Sequence, residues 1–176
     1  IETSTGIVEG NSTLRASSRV KSVMFGSAEQ GDLFADLGGQ WTPDGTALLY
    51  ARSQVLVAAK AAGVKNSLDG PFLNLSDSSQ LRVECELARR IGYTGKVAIH
   101  PSQIAIIHDV FTPSPEEIAA QQRVLDAFNE ALDAGSSSIK VDGRMVDYAV
   151  AKVAQTVIDR ADSARRREAR LMGMRK

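Results

Sequence analysis

The chain has 176 residues, 43% of them hydrophobic, and its 21 Lys and Arg are balanced by 21 Asp and Glu. That is enough for one domain with a sizeable core, and it lacks the basic excess of a nucleic-acid binder or a membrane-surface protein. No apolar run approaches the roughly 20 residues of a membrane span. Ile1-Glu2-Thr3-Ser4 has neither the basic start nor the apolar stretch of a signal peptide. The single cysteine, Cys85, excludes an internal disulfide and suits a reducing cytoplasm.

Ile1-Glu2-Thr3 reads as the last residues of a strand, followed by a helix over roughly Val8 to Ser18. Val20 to Phe25 (VKSVMF) reads as the next strand. Thr42-Pro43 gives an N-cap with Pro at the first helical position. The helix it opens carries Leu48, Leu49, Val55, Leu56 and Ala59 and stops at Gly63. A short strand lies between Val64 and Leu75 and ends near Asp69-Gly70-Pro71. Ser76-Asp77 caps a helix with Leu81, Cys85, Ala88 and Ile91 on its inner face, closed by Gly92. The strand Lys96 to Ile99 then meets a helix that starts at His100-Pro101 and carries Ile104, Ile107 and Phe111 at helical spacing. The run Val97-Ala98-Ile99 is too uninterrupted for a half-exposed strand, so it is expected to be buried. Repeating β–α–β units of this length imply a parallel sheet.

After Phe111 the pattern changes. Ser114-Pro115-Glu116-Glu117 is a capping box opening a helix with Ile118, Leu125, Phe128 and Leu132. Gly135 to Ser138 is a link, and Asp142-Gly143 is a hairpin turn between short strands. A last helix carries Val150, Val153 and Val157 on one face. The tail, Arg165-Arg166-Arg167, Arg170, Arg175 and Lys176, reads as a solvated helix end favoured by the macrodipole.

Dinucleotide, P-loop, HExxH and paired CxxC motifs are all absent. Cys85 falls on an apolar helix face with no base near it in sequence, so it reads as a structural thiol. His100 and His108 are eight apart rather than four. His108 reads as exposed. His100 reads as bonded to local backbone, with a catalytic role as the alternative. Carboxylates at strand ends are the better signal: Glu2, then Glu29 and Asp32 after Phe25-Gly26, then Asp69. In a parallel sheet these ends converge on one face, where ligands bind. Two convergent carboxylates suit a hard cation, most naturally Mg²⁺. The alternative is that these acids cap the helices that follow.

Several collinear segments resemble the citrate lyase beta-subunit-like family of acyl-CoA lyases, which includes malyl-CoA and citramalyl-CoA lyases. They are IETSTGI at residues 1–7, DLFADLG (Asp32 to Gly38), YARSQVLVAAKAAGV (Tyr50 to Val64), DGPF (Asp69 to Phe72), GKVAIHPSQI from Gly95, TPSPEEI and DGRMVD. The similarity runs over essentially the whole chain and corresponds to the C-terminal half of such proteins. It implies the second half of an eight-stranded (β/α) TIM-type barrel, about strands 5–8, over residues 1–112, with a C-terminal helical arm over 113–176.

The resemblance also implies a reaction: Mg²⁺-dependent cleavage of a β-hydroxyacyl-CoA to an acyl-CoA and a 2-oxo acid, or the reverse condensation, with the CoA thioester as substrate. It assigns Glu2 and Asp32 as metal and substrate ligands. It assigns Asp147 to proton exchange at the thioester α-carbon, on an arm reaching a neighbouring subunit in a trimer or a multiple of it. One departure concerns register. The Phe25-Gly26 to Asp32 segment is about three residues longer than the family pattern, which leaves Glu29 as a rival ligand; the gapless match after Asp32 favours Asp32. A second departure is the absence of the four preceding strands. It implies a fragment, a truncated product or half of a larger assembly, and keeps open a non-catalytic scaffold. A metal-dependent pyruvate aldolase that does not use CoA is the remaining alternative. No nucleic-acid or membrane partner is expected, and the expected compartment is the cytoplasm.

Overall fold

The computed structural model describes residues 1–173, which divide into two compact units, Ile1–Phe111 and the residues from Thr112 onward. The first unit is built on three parallel strands in the order β1-β2-β3: β1 Ser22–Met24, β2 Asn66–Asp69 and β3 Gly95–Lys96. Met24 stands opposite Leu68, and Leu68 opposite Gly95. Ile1 adds a rung on the outer edge of β1. Its nitrogen donates to the Met24 carbonyl (2.8 Å), and its own carbonyl accepts from Gly26 N–H (2.8 Å). Phe25 N–H points the other way and donates to the Leu68 carbonyl of β2 (2.9 Å). Successive residues of a strand address opposite neighbours, so this alternation makes Ile1-Glu2 the end of a strand segment parallel to β1.

Helices α1 Ser4–Val8, α2 Gly10–Arg15, α3 Asp32–Leu37, α4 Leu49–Ala61, α5 Ser78–Ile91 and α6 Ile104–Phe111 complete the unit. Its main core is centred on Phe25, Leu33, Val55, Ala59 and Tyr93. α5 buries Leu81, Glu84, Cys85 and Ala88, at i, i+3, i+4 and i+7. It starts at Asp77, whose carboxylate accepts from Gln80 N–H, and it ends at Gly92 with φ of 119°. The expected Gly63 stop of α4 is also present, at φ of 74°.

Three expectations for this unit are corrected. The helix expected from Val8 to Ser18 is two short helices: Thr3 Oγ1 caps Gly6 N–H and starts the first one early, and the chain turns at Glu9. Thr42 does not cap α4. Gly45 takes φ of 72°, which no α-helix continues through, so a 3₁₀ turn over Thr46–Leu48 intervenes. Thr42 Oγ1 still accepts from Ala47 N–H within that turn (3.3 Å). The strand expected over Lys96 to Ile99 stops at Lys96, and Ile99 is 49% exposed rather than buried. Val97 N–H makes the last ladder bond, to Asp69. Beyond it β2 has already left the sheet at Gly70-Pro71, and proline has no N–H to offer.

In the second unit, α7 spans Pro115–Asp133 and α8 spans Tyr148–Gly173, joined through an antiparallel pair, β4 Ile139–Val141 and β5 Arg144–Val146. Ser114 Oγ accepts from Glu117 N–H at the start of α7. Asp142 and Gly143 both have positive φ, 47° and 81°, as the tightest hairpin turns require. The core is Leu125, Phe128, Val146, Ala151 and Ala154. The face carrying Val150, Val153 and Val157 is not the one that α8 buries. Val153 is 65% exposed, and the buried stripe is Ala151, Ala154 and Ala161 with Ile158 beside it. Alanine lets α8 approach α7 closely, whereas the larger valines fall outside that contact. Arg165, Arg166, Arg167 and Arg170 are exposed on α8; Arg175 and Lys176 lie outside the described residues. Among the described residues no helix is long and apolar enough to cross a membrane.

Candidate functional site

Glu2 ends the strand segment on one side of β1, and the chain leaving β1 runs past it. An added Cβ at Gly26 would stand 2.5 Å from Glu2 Cβ and 3.2 Å from Glu2 Oε2. Only glycine permits that approach, so the two strand ends are nested with the Glu2 side chain against bare backbone. The loop continues through Glu29 to Gly31, and Asp32 opens α3. One turn further on, the Asp36 carboxylate accepts from both the backbone N–H (2.6 Å) and the hydroxyl of Ser4, two residues after Glu2. The Ser4 hydroxyl, and then its backbone N–H, stabilise the ionised form and hold the Asp36 carboxyl below the usual range. The fold thus ties the segments carrying Glu2 and Asp32 together at the C-terminal edge of the sheet.

Glu2, Glu29 and Asp32 are all exposed, and none has a hydrogen-bond or ion-pair partner among the described residues. The capping alternative fails for the strand-end acids. Thr3 caps α1, Gly31 precedes α3 without a side-chain bond, and neither Glu2 nor Asp32 accepts an N–H. Asp32 retains only a favourable first-turn position. No group of three or more His, Cys, Asp or Glu comes together among the described residues. Two unengaged carboxylates with open positions around them fit a hard divalent cation such as Mg²⁺, which keeps water ligands and needs few protein oxygens.

Asp69, the fourth strand-end acid, is neither a cap nor an open ligand. It is fully buried at the end of β2 with both oxygens engaged: Arg52 Nε donates to Oδ1 (2.8 Å) and Lys96 Nζ donates to Oδ2 (2.8 Å). Lys96 Nζ also donates to Glu84 Oε2 (2.8 Å), whose other oxygen accepts from Trp41 Nε1 (2.9 Å). Burial alone would lower the Lys96 ammonium, but the Asp69 and Glu84 carboxylates outweigh it and hold it above its usual value. This charge-balanced quartet was not anticipated from the sequence. Its signals were there: a lysine inside an apolar strand run, and Glu84 between Leu81 and Cys85 on the buried face of a helix.

The other candidates fall where local chemistry puts them. His100 precedes the 3₁₀ turn Pro101–Gln103, its Nδ1 accepting from Ser102 N–H (3.2 Å), which is the local role expected of it; His108 is exposed. Cys85 is fully buried, and burial pushes its thiol up to about 11. Asp147 lies in the second unit, just before α8. Its Oδ1 accepts from Ala149 N–H (2.9 Å) and Val150 N–H (3.0 Å), so it is an N-cap.

Comparison with known proteins agrees with this architecture. The HpcH/HpaI aldolase/citrate lyase family matches residues 1–101, and a family described as C-C_Bond_Lyase of the TIM-barrel fold matches residues 52–163. The citrate lyase subunit beta of Leuconostoc mesenteroides subsp. cremoris is 37% identical over 163 residues, covering 93% of this chain and 53% of that protein. The mitochondrial citramalyl-CoA lyase of Rattus norvegicus is 34% identical over 141 residues, 80% of this chain and 40% of that protein. Among solved structures, CitE from Mycobacterium tuberculosis in complex with magnesium, acetoacetate and coenzyme A superposes with a TM-score of 0.77 at 32% identity. That alignment covers 92% of this chain and 59% of the other. The chain spans about half the length of the relatives it matches. With the α/β architecture, the parallel sheet and these matches in agreement, the chain belongs to the HpcH/HpaI aldolase/citrate lyase family.

Proposed function

We propose that this chain carries the metal-binding half of a Mg²⁺-dependent carbon–carbon lyase. The reaction is cleavage of a β-hydroxyacyl-CoA of the malyl- or citramalyl-CoA type to an acyl-CoA and a 2-oxo acid, or the reverse condensation. The observation that carries this reading is the pair of unengaged carboxylates, Glu2 at the end of a strand segment and Asp32 at the start of the helix reached from the adjoining strand β1, with Gly26 cleared away beside Glu2. The relatives named for citrate and citramalyl-CoA lysis, and the CitE complex with magnesium and coenzyme A, support it.

Glu2 and Asp32 would hold the ion. When bound, Mg²⁺ supplies a Lewis acid for the carboxylate and oxo oxygens of the 2-oxo acid. Carbon–carbon cleavage turns the hydroxyl carbon into a carbonyl, with the hydroxyl proton lost to solvent base, and leaves the bonding electron pair on the thioester α-carbon. Asp147 delivers a proton to that carbon, and removes it in the condensation direction. Its position on a separate compact unit suits a group brought from a neighbouring subunit of a trimer or a multiple of one. The first unit supplies strands 5–8 of a TIM-type barrel in this reading, and the buried thiol of Cys85 suits the cytoplasm.

The test uses the full natural protein with citramalyl-CoA or malyl-CoA, following the acyl-CoA and the 2-oxo acid. Equimolar products that vanish on chelation and in Glu2→Gln are expected. A folded protein that releases neither product sinks the lyase reading. A 2-oxo acid released equally well from a CoA-free hydroxy acid would make it a pyruvate aldolase instead.

A further inference from the structure

The buried quartet and the open carboxylates are connected by backbone. Gly70 follows Asp69 directly. A Cβ at Gly70 would stand 2.5 Å from both the Phe25 carbonyl oxygen and Ser27 N, and would also strike Ser27 Oγ. The chain leaving β2 therefore lies directly against the chain leaving β1, on the residues either side of Gly26. Gly26 in turn lies against Glu2. Three successive strand ends are stacked with no side chain between them at these two glycines, so displacement of one is passed to the next. What holds the stack on its inner side is Asp69, fixed by Arg52 from α4 and Lys96 from β3, with Lys96 fixed by Glu84 from α5. Arg52 also sits over the Phe25 ring, 5.7 Å from its centroid.

An ion quartet of this kind is an unusual choice for stability alone. Desolvating four charges costs about as much as their attraction returns, and apolar residues of similar volume often serve as well. Its distinct property is direction, since each partner fixes the others to a definite place. We infer that the Arg52–Asp69–Lys96–Glu84 quartet is a positioning device for Glu2: through Gly70 and Gly26 it sets where the Glu2 carboxylate stands relative to the segment carrying Asp32. Asp69, Lys96 and Gly70 are on this account positioning residues that never touch the metal or the substrate. The inference rests on the reading of Glu2 as a metal ligand.

The experiment is Mn²⁺ binding to the full natural protein, measured by electron paramagnetic resonance of the free ion well below the melting temperature. Asp69→Asn and Gly70→Ala should each weaken binding by about 10- to 100-fold, the usual loss when the support of a metal ligand is removed. Circular dichroism should remain that of the folded protein. A purely structural role would lower the melting temperature and leave the dissociation constant of the folded protein alone, so unchanged affinity in a folded variant overturns the inference. Hydrogen exchange on the unmodified protein decides the matter if the variants do not fold. Coupling between two sites is reciprocal, so saturating Mn²⁺ should slow exchange at Asp69, Gly70 and Lys96 as well as around Gly26. Protection confined to the segments of Glu2 and Asp32 refutes it. Glu2→Gln keeps the two questions apart: if it binds Mn²⁺ as tightly as the unmodified protein, the ligand assignment has failed, and with it the reason for a positioning device.

Discussion

Gly26 is glycine because of Glu2. The two residues come from different strand ends, yet a methyl group on Gly26 would overlap the Glu2 side chain at 2.5 Å from Cβ and 3.2 Å from the carboxylate oxygen. Gly26 is not among the residues with positive φ, so its requirement is for space and not for an unusual backbone.

That distinction makes Gly26→Ala informative. Overpacking of a tight site costs about 1–3 kcal/mol, and because the nearest atoms are Glu2 Cβ and Cα, side-chain rotation cannot relieve it and the Glu2 backbone itself must shift. The variant should fold with a lowered melting temperature, and its affinity for Mg²⁺ or Mn²⁺ should fall by more than its stability accounts for. Calorimetric titration checks this. Wild-type affinity in Gly26→Ala would mean that the Glu2 carboxylate is not held against Gly26 for the sake of an ion.

The choice between Asp32 and Glu29 as second ligand is open to a direct comparison. Both are exposed and unpartnered, but Asp32 is anchored as the first residue of α3, whereas Glu29 sits in the loop before it. Glu2→Gln and Asp32→Asn should each abolish Mg²⁺-dependent turnover in the full natural protein, and Glu29→Gln should change it little. Loss of activity in Glu29→Gln with an active Asp32→Asn reverses the assignment.

Lys96 offers a test of stability that is read by denaturation alone. It is buried with two carboxylates on one ammonium. Lys96→Met fills much of the same volume but leaves Glu84 without a cation and Asp69 with Arg52 alone. Stranding a buried charge costs about 3–5 kcal/mol, so chemical denaturation should show a loss of that order. A loss under 1 kcal/mol would mean that water or protonation takes up the uncovered carboxylate.

Much of this could be read in the chain, and the failures of burial share a cause. Caps and stops are local: Asp77, Gly92, Gly63, Ser114 and the Asp142-Gly143 turn all behave as their neighbours in sequence dictate. Ends that depend on a distant partner do not. Ile99 reads as a buried strand residue because it is apolar, but the ladder stops where β2 turns away at Gly70, some thirty residues earlier in the chain. Val153 lies on an apolar face of α8 and is exposed as well, because the contact of α8 is made by alanines. Apolarity shows that a residue can be buried, not that a neighbour is there to bury it. Asp69 is the mirror case: its charge pointed to an exposed site, and its partners, Arg52 and Lys96, are visible only once β2, β3 and α4 are assembled.

Cys85 gives an alkaline signature. Its folded thiol is raised from 9.0 to about 11, chiefly by burial. A group whose folded value lies above its unfolded one contributes stability that is complete below about pH 9 and is lost as pH rises toward 11. The melting temperature should therefore decline through that window, and less steeply in Cys85→Ala. The native thiol should also resist alkylation at pH 8 and react fully on unfolding. Rapid labelling of the folded protein would contradict its burial.

Asp147 separates structure from chemistry most cleanly. Oδ1 accepts two N–H groups at the start of α8, so Asp147→Ala should cost about 1 kcal/mol in the stability of the second unit. Asparagine presents the same accepting oxygen, and Asp147→Asn should leave the melting temperature nearly unchanged. It cannot give or take a proton, so turnover should fall by about two orders of magnitude or more if Asp147 serves the thioester α-carbon. Mixing Asp147→Asn with Glu2→Gln extends the test to subunit exchange. If the arm acts on a neighbour, hybrid oligomers contain some sites with an intact Glu2 from one chain and an intact Asp147 from another, and part of the activity returns. Full activity in Asp147→Asn would leave the residue as a cap alone. An inactive variant without rescue in the mixture would put its proton transfer within a single chain.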